Sequence, residues 1–176
     1  MFKKTFSMIC CVIFLQGCSQ EQEVKKEMAN METALLAATE KNETNTVISL
    51  LKQGANINAT DSQGRTPLMI ATYKNDVKTA KALIKAGADV NIQDDMKNNP
   101  FLYAGAEGYL DILKLTIDAG ADPTITNRYG GTALIPASEH GYIDVIKELL
   151  TRTNIDVNHV NNLGWTALME AIVLSN

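Results

Sequence analysis

The sequence predicts an all-α solenoid of helix-turn-helix units joined by β-hairpin-like turns, and three observations carry that prediction. A short pattern returns with a period of about 33 residues: Leu35, Leu68, Phe101 and Leu134 form one apolar column, and Ala38, Ala71, Ala104 and Ala137 form a second, three residues later. Asn42, Asn75, Gly108 and Gly141 form a third column, and Gly54, Gly87 and Gly120 a fourth. Both consist of residues that tolerate a left-handed backbone, which is what the end of a helix needs where the chain turns. After Gly141 the register slips by one, so that Leu168 and Ala171 arrive one position later than the columns of Leu134 and Ala137 require. A period in this range means a stack of small units, each covering its neighbour's apolar face.

Taken in order, the elements begin with a targeting segment. Lys3 and Lys4 precede an apolar stretch from Thr5 to Leu15, which ends in Leu15-Gln16-Gly17-Cys18. Eleven such residues are too few to span a bilayer and suit the core of a signal peptide, assigned to residues 1–17. Residues 18–30 are rich in Gln, Glu and Lys and read as a polar tether and the start of a capping helix. The repeats fill residues 31–176, divided at about 31–60, 61–93, 94–126, 127–160 and a partial unit over 161–176.

The second unit shows the logic of all of them. Asp61 to Gly64 is turn chemistry, Thr66 caps a helix and Pro67 suits its first position. Asn75 ends this inner helix. From Asp76 to Lys85, Val77, Ala80, Leu83 and Ile84 recur at helical spacing and predict an outer helix, which Gly87 terminates. Helices this short are marginal alone, so a unit is stable only beside its neighbours.

At these residues the chain resembles ankyrin repeats. Thr66-Pro67-Leu68-Met69-Ile70-Ala71 is similar to the family's Thr-Pro-Leu-His-x-Ala signature, and Gly87-Ala88-Asp89-Val90-Asn91 to its Gly-Ala-Asp-x-Asn ending. Weaker copies stand at Asn99-Pro100-Phe101, Thr132-Ala133-Leu134 and Thr166-Ala167-Leu168, and at Gly54 to Asn58 and Gly120 to Thr124. The leader ending is similar to the lipobox of bacterial lipoproteins. That resemblance implies cleavage before Cys18, lipid on Cys18, and a place in the bacterial envelope; Ser19 after the cysteine favours the outer membrane, facing the periplasm.

Several positions depart from the pattern. The family's histidine is replaced by Met69, Leu102, Ile135 and Met169, so the polar network that commonly braces such hairpins is expected to be absent. Lys97 stands where Gly64, Gly130 and Gly164 stand in other units and is expected to reshape that tip. Pro136 lies in the first turn of its helix and removes a donor. Thr153 replaces the glycine of its column, next to a one-residue insertion within Asn154 to Asn158. The chain stops at Asn176 as a further helix is due, which implies either a longer protein or a partner over Leu149, Leu150 and the last helix.

Composition constrains the chemistry. The three cysteines, Cys10, Cys11 and Cys18, all fall in the leader or at the lipid site, which leaves the repeats without a thiol for a disulfide, zinc or nucleophilic chemistry. The net charge of −4 becomes about −6 when Lys3 and Lys4 leave with the leader, the wrong sign for a nucleic-acid groove. Of the two histidines, His140 sits in Ser138-Glu139-His140, but sequence neighbours on a helix point apart and no nucleophile elbow or phosphate loop accompanies them. Asp94 belongs to the turn column of Asp61, Asn127 and Asn161, so turn formation rather than a metal pair with Asp95 accounts for it. No catalytic residue, cofactor, metal or small-molecule substrate is expected.

What remains is a surface. The ankyrin resemblance implies that hairpin tips and inner helices line one continuous binding face. Carried over position by position, its contacts are Gln63, Arg65, Tyr73 and Lys74; Met96, Asn98 and Glu107; Arg128, Tyr129, Glu139 and His140; and Leu163 and Trp165. Aromatic and arginine side chains dominate interface energetics. The sequence thus leads to a lipid-anchored, non-catalytic module that holds another protein as scaffold or stabiliser. The alternatives are an immunity protein or inhibitor of a toxin or envelope enzyme, and the regulatory part of a longer enzyme beyond Asn176.

Overall fold

A computed structural model describes the backbone of residues 5–174 and the side chains of residues 22–173. The side chain of Cys18, expected to carry lipid after cleavage before it, lies outside the described residues. Among the described residues there are nine helices: α1 Thr5–Glu40, α2 Thr44–Lys52, α3 Pro67–Tyr73, α4 Val77–Lys85, α5 Pro100–Ala106, α6 Leu110–Asp118, α7 Leu134–Glu139, α8 Ile143–Arg152 and α9 Ala167–Leu174. The stretch read as a tether is helical, because α1 runs through it, and residues 22–30 are exposed along their whole length.

The helices form two layers. Inner helices α1, α3, α5, α7 and α9 contact one another in chain order, and outer helices α2, α4, α6 and α8 form a second row behind them. The repeating columns build the core between the layers: Leu35, Leu68, Phe101 and Leu134 are buried, as are the four alanines three residues on. Small side chains let neighbouring inner helices approach closely. At Gly105 on α5 an added Cβ would lie 2.8 Å from the Cβ of Ala133, the residue before α7.

Local chemistry sets the helix ends. The Thr66 hydroxyl accepts from the Met69 amide at 3.1 Å and Pro67 opens α3, while the Asp76 carboxylate accepts from the Thr79 amide at 3.1 Å and opens α4. Asn75 leaves α3 at φ +50° and Gly87 follows α4 at φ +93°. The asparagine of the family-like ending ties units together: Asn58 Oδ1 accepts from the Asp89 amide at 3.1 Å, and Asn91 Oδ1 from the Asp122 amide at 2.9 Å. Tips are also joined through backbone, Asp95 N to Gln63 O and Asn162 N to Tyr129 O, each at 3.0 Å.

Three departures have definite outcomes. Three of the four positions vacated by histidine are filled with core, since Met69, Leu102 and Ile135 are buried, while Met169 is half exposed. Lys97 does not reshape its tip. It takes φ +57° and donates to Asp94 O at 2.8 Å, the bond that Gly64, Gly130 and Gly164 make to Asp61, Asn127 and Asn161. Thr153 replaces its glycine by a different device, an extended backbone whose hydroxyl donates to Leu149 O at 2.6 Å and accepts from Ile155 N at 3.2 Å.

Candidate binding face

Each hairpin tip is a small turn clipped by its first side chain. In the second unit Asp61 Oδ1 accepts from the amides of Gln63 and Arg65, both at 2.9 Å, and Asp61 N donates to Arg65 O at 3.1 Å. Asp94, Asn127 and Asn161 repeat this clip in the following units. A side-chain acceptor two residues before an amide is the Asx-turn arrangement, so this column needs Asp or Asn.

The third residue of each turn is the one pushed outward: Gln63, Met96, Tyr129 and Leu163. Met96 is 42% exposed, Tyr129 58% and Leu163 79%. Arg128 links two of these tips. Its guanidinium reaches Met96 Sδ at 3.1 Å and lies 4.7 Å from the centre of the Tyr129 ring, in cation–π range. Met96, Arg128, Tyr129 and Leu163 thus make a protruding ridge along the stack.

Beside the ridge a cleft of about 430 Å³ opens between the second and third tips, lined by Gln63, Arg65, Tyr73, Asp94, Asp95 and Met96. Its floor is braced. The Tyr73 hydroxyl donates to Asp94 Oδ2 at 2.5 Å, the Asn98 amide approaches that hydroxyl at 3.5 Å, and the rings of Tyr73, Tyr103 and Tyr109 follow one another edge to face, 4.3 Å and 6.2 Å between centres. Burial, reinforced by the bond to Asp94, pushes the Tyr73 phenol up to about 12. Burial raises the Tyr103 phenol too, helped by the Glu107 charge. At the rim, burial alone would raise the Asp61 carboxyl, but hydrogen bonds and charge from Arg65 outweigh it and hold the group below its ordinary range. Arg65 also pairs with Glu40 at 3.0 Å, and Lys74 joins the same carboxylate at 3.7 Å.

The structure therefore brings together Gln63, Arg65, Tyr73 and Met96 in one cleft, with Asn98 against the Tyr73 hydroxyl and Lys74 tied to it through Glu40. Arg128, Tyr129 and Leu163 continue the ridge. Trp165 is half-buried in the stem of its tip, its amide held by Asn161 Oδ1 at 3.0 Å. Glu107 and Glu139 are at the ends of α5 and α7, on the exposed side of each turn. His140 sets its Nδ1 on Pro136 O at 2.9 Å and stacks its ring on Tyr142, 5.4 Å between centres. The sequence did not reveal Glu40, or Asp94 as the partner of Tyr73. Among the described residues no group of three His, Cys, Asp or Glu is placed to hold a metal.

Comparison with known proteins agrees with this fold. The family model described as ankyrin repeats in three copies matches residues 4–94 and 101–176. A crystal structure of an ankyrin repeat domain from Acinetobacter baumannii AYE superposes with a TM-score of 0.77 at 50% identity, covering 80% of this chain and 71% of that one. The structure of the ankyrin repeat protein EF0377 gives a TM-score of 0.76 at 43% identity, covering 79% and 71%. Over 30 residues, 17% of this chain, the sequence is 60% identical to the ankyrin repeat protein YahD of Escherichia coli K12, a match that spans 15% of that relative.

Proposed function

Since this chain belongs to the ankyrin-repeat family, whose repeats are protein–protein interaction modules and typically not catalysts, we propose that its tip ridge and adjoining cleft hold one partner protein at the bacterial envelope, as a scaffold or stabiliser. The observation that carries the reading is the ridge. Met96, Tyr129 and Leu163 sit at the same turn position of three successive units, all three exposed and none needed by the core. Exposed apolar groups aligned in this way mark an interaction site. A preformed face of clipped turns binds with little ordering cost, which favours affinity over the same contacts on a loose loop.

The lysine pair, short apolar stretch and Leu-x-Gly-Cys ending support a lipid on Cys18 that keeps this face near a membrane. The two halves of the proposal are tested separately. Metabolic labelling with palmitate should mark the wild type and not Cys18→Ala; an unlabelled wild type removes the anchor. Affinity capture from envelope extract should yield a partner that the Tyr129→Ala, Leu163→Ala double variant fails to retain at unchanged helicity; equal retention by that variant removes the face.

A further inference from the structure

The outer row of helices changes sign halfway along the stack. α2 and α4 carry Lys52, Lys78, Lys81 and Lys85 and no Asp or Glu. α6 and α8 carry Asp111, Asp118, Asp144 and Glu148, and their cations are neutralised: Lys114 pairs with Glu148 at 3.4 Å, Lys147 with Asp144 at 3.6 Å, and Arg152 with both Asp118 and Glu148 at 2.5 Å and 3.2 Å. Among the described residues, none of the four lysines of α2 and α4 makes an ion pair.

These lysines share a surface. Lys78, Lys81 and Lys85 are spaced three and four apart, a single stripe on the side of α4 opposite the buried Ala80 and Leu83. Lys52 and Lys85 flank a groove of about 430 Å³ between α2 and α4, whose other lining residues are Ile48, Leu51, Ala82 and Ala86. The acids on or beside these helices are Glu43, which lines a pocket with Lys78, Asp76, whose carboxylate is already engaged by Thr79 at the cap of α4, and Asp89, four residues after Lys85; α6, packed against α4, adds Asp111 and Asp118. In a protein of net charge −4, two unpaired lysines flanking an apolar groove, with Lys78 and Lys81 continuing the stripe along α4, run against the overall sign.

We infer that this outer side of the first two units docks on an anionic phospholipid surface, with the ammonium groups on lipid phosphates and the groove against the apolar region just beneath them. Unbraced lysines on long stems suit a fluid sheet of phosphates, since the stem lies along apolar surface while the charge stays at the headgroups. A fixed carboxylate on a protein would be met by a braced arginine, the arrangement this molecule uses at Arg65 and Arg152. The inference does not depend on lipid at Cys18.

The test uses the full chain carrying Cys18→Ala, so that no attached lipid contributes, with vesicles of phosphatidylcholine alone or mixed with phosphatidylglycerol. The apolar stretch from Thr5 to Leu15 favours both vesicles alike, and Lys3 and Lys4 add the same charge-dependent part in every variant, so the change in the difference between wild type and variant reports the lysines of α2 and α4. That difference should fall with added salt, and Lys52→Glu with Lys85→Glu should lower it roughly 25-fold, at about five-fold per lysine before sign reversal is counted. The pair Lys52→Ala with Lys85→Ala serves if the glutamate variant misfolds, and Lys147→Glu on α8 should leave the difference unchanged. Persistence of the phosphatidylglycerol-dependent part in both double variants, its equal loss in Lys147→Glu, or preference for polyglutamate over the anionic vesicles would overturn the inference.

Discussion

Pro136 deprives Thr132 of its role as a helix cap. In the second unit the Thr66 carbonyl accepts from Ile70 N at 2.9 Å, which leaves Met69 N free to bond the Thr66 hydroxyl at 3.1 Å. Pro136 occupies the position of Ile70 and has no N–H, so Ile135 N turns to the Thr132 carbonyl at 3.3 Å, and the Thr132 hydroxyl is buried with no partner. The cap returns in the fifth unit, where Glu170 N bonds Thr166 O at 3.1 Å and Met169 N reaches the hydroxyl at 3.3 Å. Pro136→Ala should restore both bonds and add about 1–2 kcal/mol of stability, seen as a rise of several degrees in thermal melting followed by circular dichroism. Thr66→Ala should cost about 1 kcal/mol while Thr132→Ala is close to neutral.

Lys97 holds a left-handed conformation that its side chain disfavours. The tip keeps the form of its neighbours because Asp94 clips it, Oδ1 accepting from Met96 N and Asn98 N, both at 2.9 Å. The cost of placing a Cβ at φ +57° stays stored in the turn. Lys97→Gly should therefore stabilise the protein by about 1 kcal/mol, and Lys97→Val, β-branched at the same φ, should destabilise it by at least as much. Denaturant midpoints for the two variants and the wild type give the comparison.

Tyr73 makes stability depend on alkaline pH. Its phenol is pushed up to about 12 from an ordinary value of 10.0, chiefly by burial and then by donation to Asp94. A group whose folded value is raised contributes stability that is complete below its unfolded value and is lost as pH climbs through the folded one. The contribution of Tyr73 should thus be intact below pH 10 and disappear between about 10 and 12. Tyr73→Phe should lower stability by about 1 kcal/mol at neutral pH through the lost hydrogen bond and should shed this part of the alkaline decline. Absorbance titration of the ionised phenols would show, beside the raised Tyr103, a late-ionising tyrosine in the wild type that is missing from the variant.

The parts of this architecture that were legible in the sequence are those set within a few residues. Thr66, Pro67, Asn75 and Gly87 act on backbone groups next to them, so their residue types alone announced the ends of α3 and α4. The tip ridge was legible for the same reason, since Met96, Tyr129 and Leu163 stand at one turn position. Contacts across units were not. Tyr73 meets Asp94 across 21 residues, Arg128 meets Met96 across 32, and no periodic column contains both partners. The outcome at Lys97 was not legible, because residue type reports the strain and not the Asp94 clip that contains it. The Pro136 lesion was half visible: the lost donor could be read directly, whereas the stranded hydroxyl four residues earlier required the geometry of the whole first turn.

Leu68 and Leu168 occupy the same motif position, and their environments give them opposite sensitivities. Leu68 is 0% exposed in the core between α3 and its neighbours, while Leu168 is 68% exposed on α9. Truncating a fully buried leucine removes its transfer free energy and leaves a cavity, so Leu68→Ala should cost about 3–5 kcal/mol. At the exposed site most of the side chain is already in water and no cavity forms, so Leu168→Ala should change stability by less than about 0.5 kcal/mol. Chemical denaturation of the two variants should separate them by several kcal/mol despite the identical substitution. Equal costs would mean that Leu168 is covered in solution, as it would be if a second protein or another copy of the chain sat on α9, and repeating the measurement over a range of protein concentrations would tell those two apart.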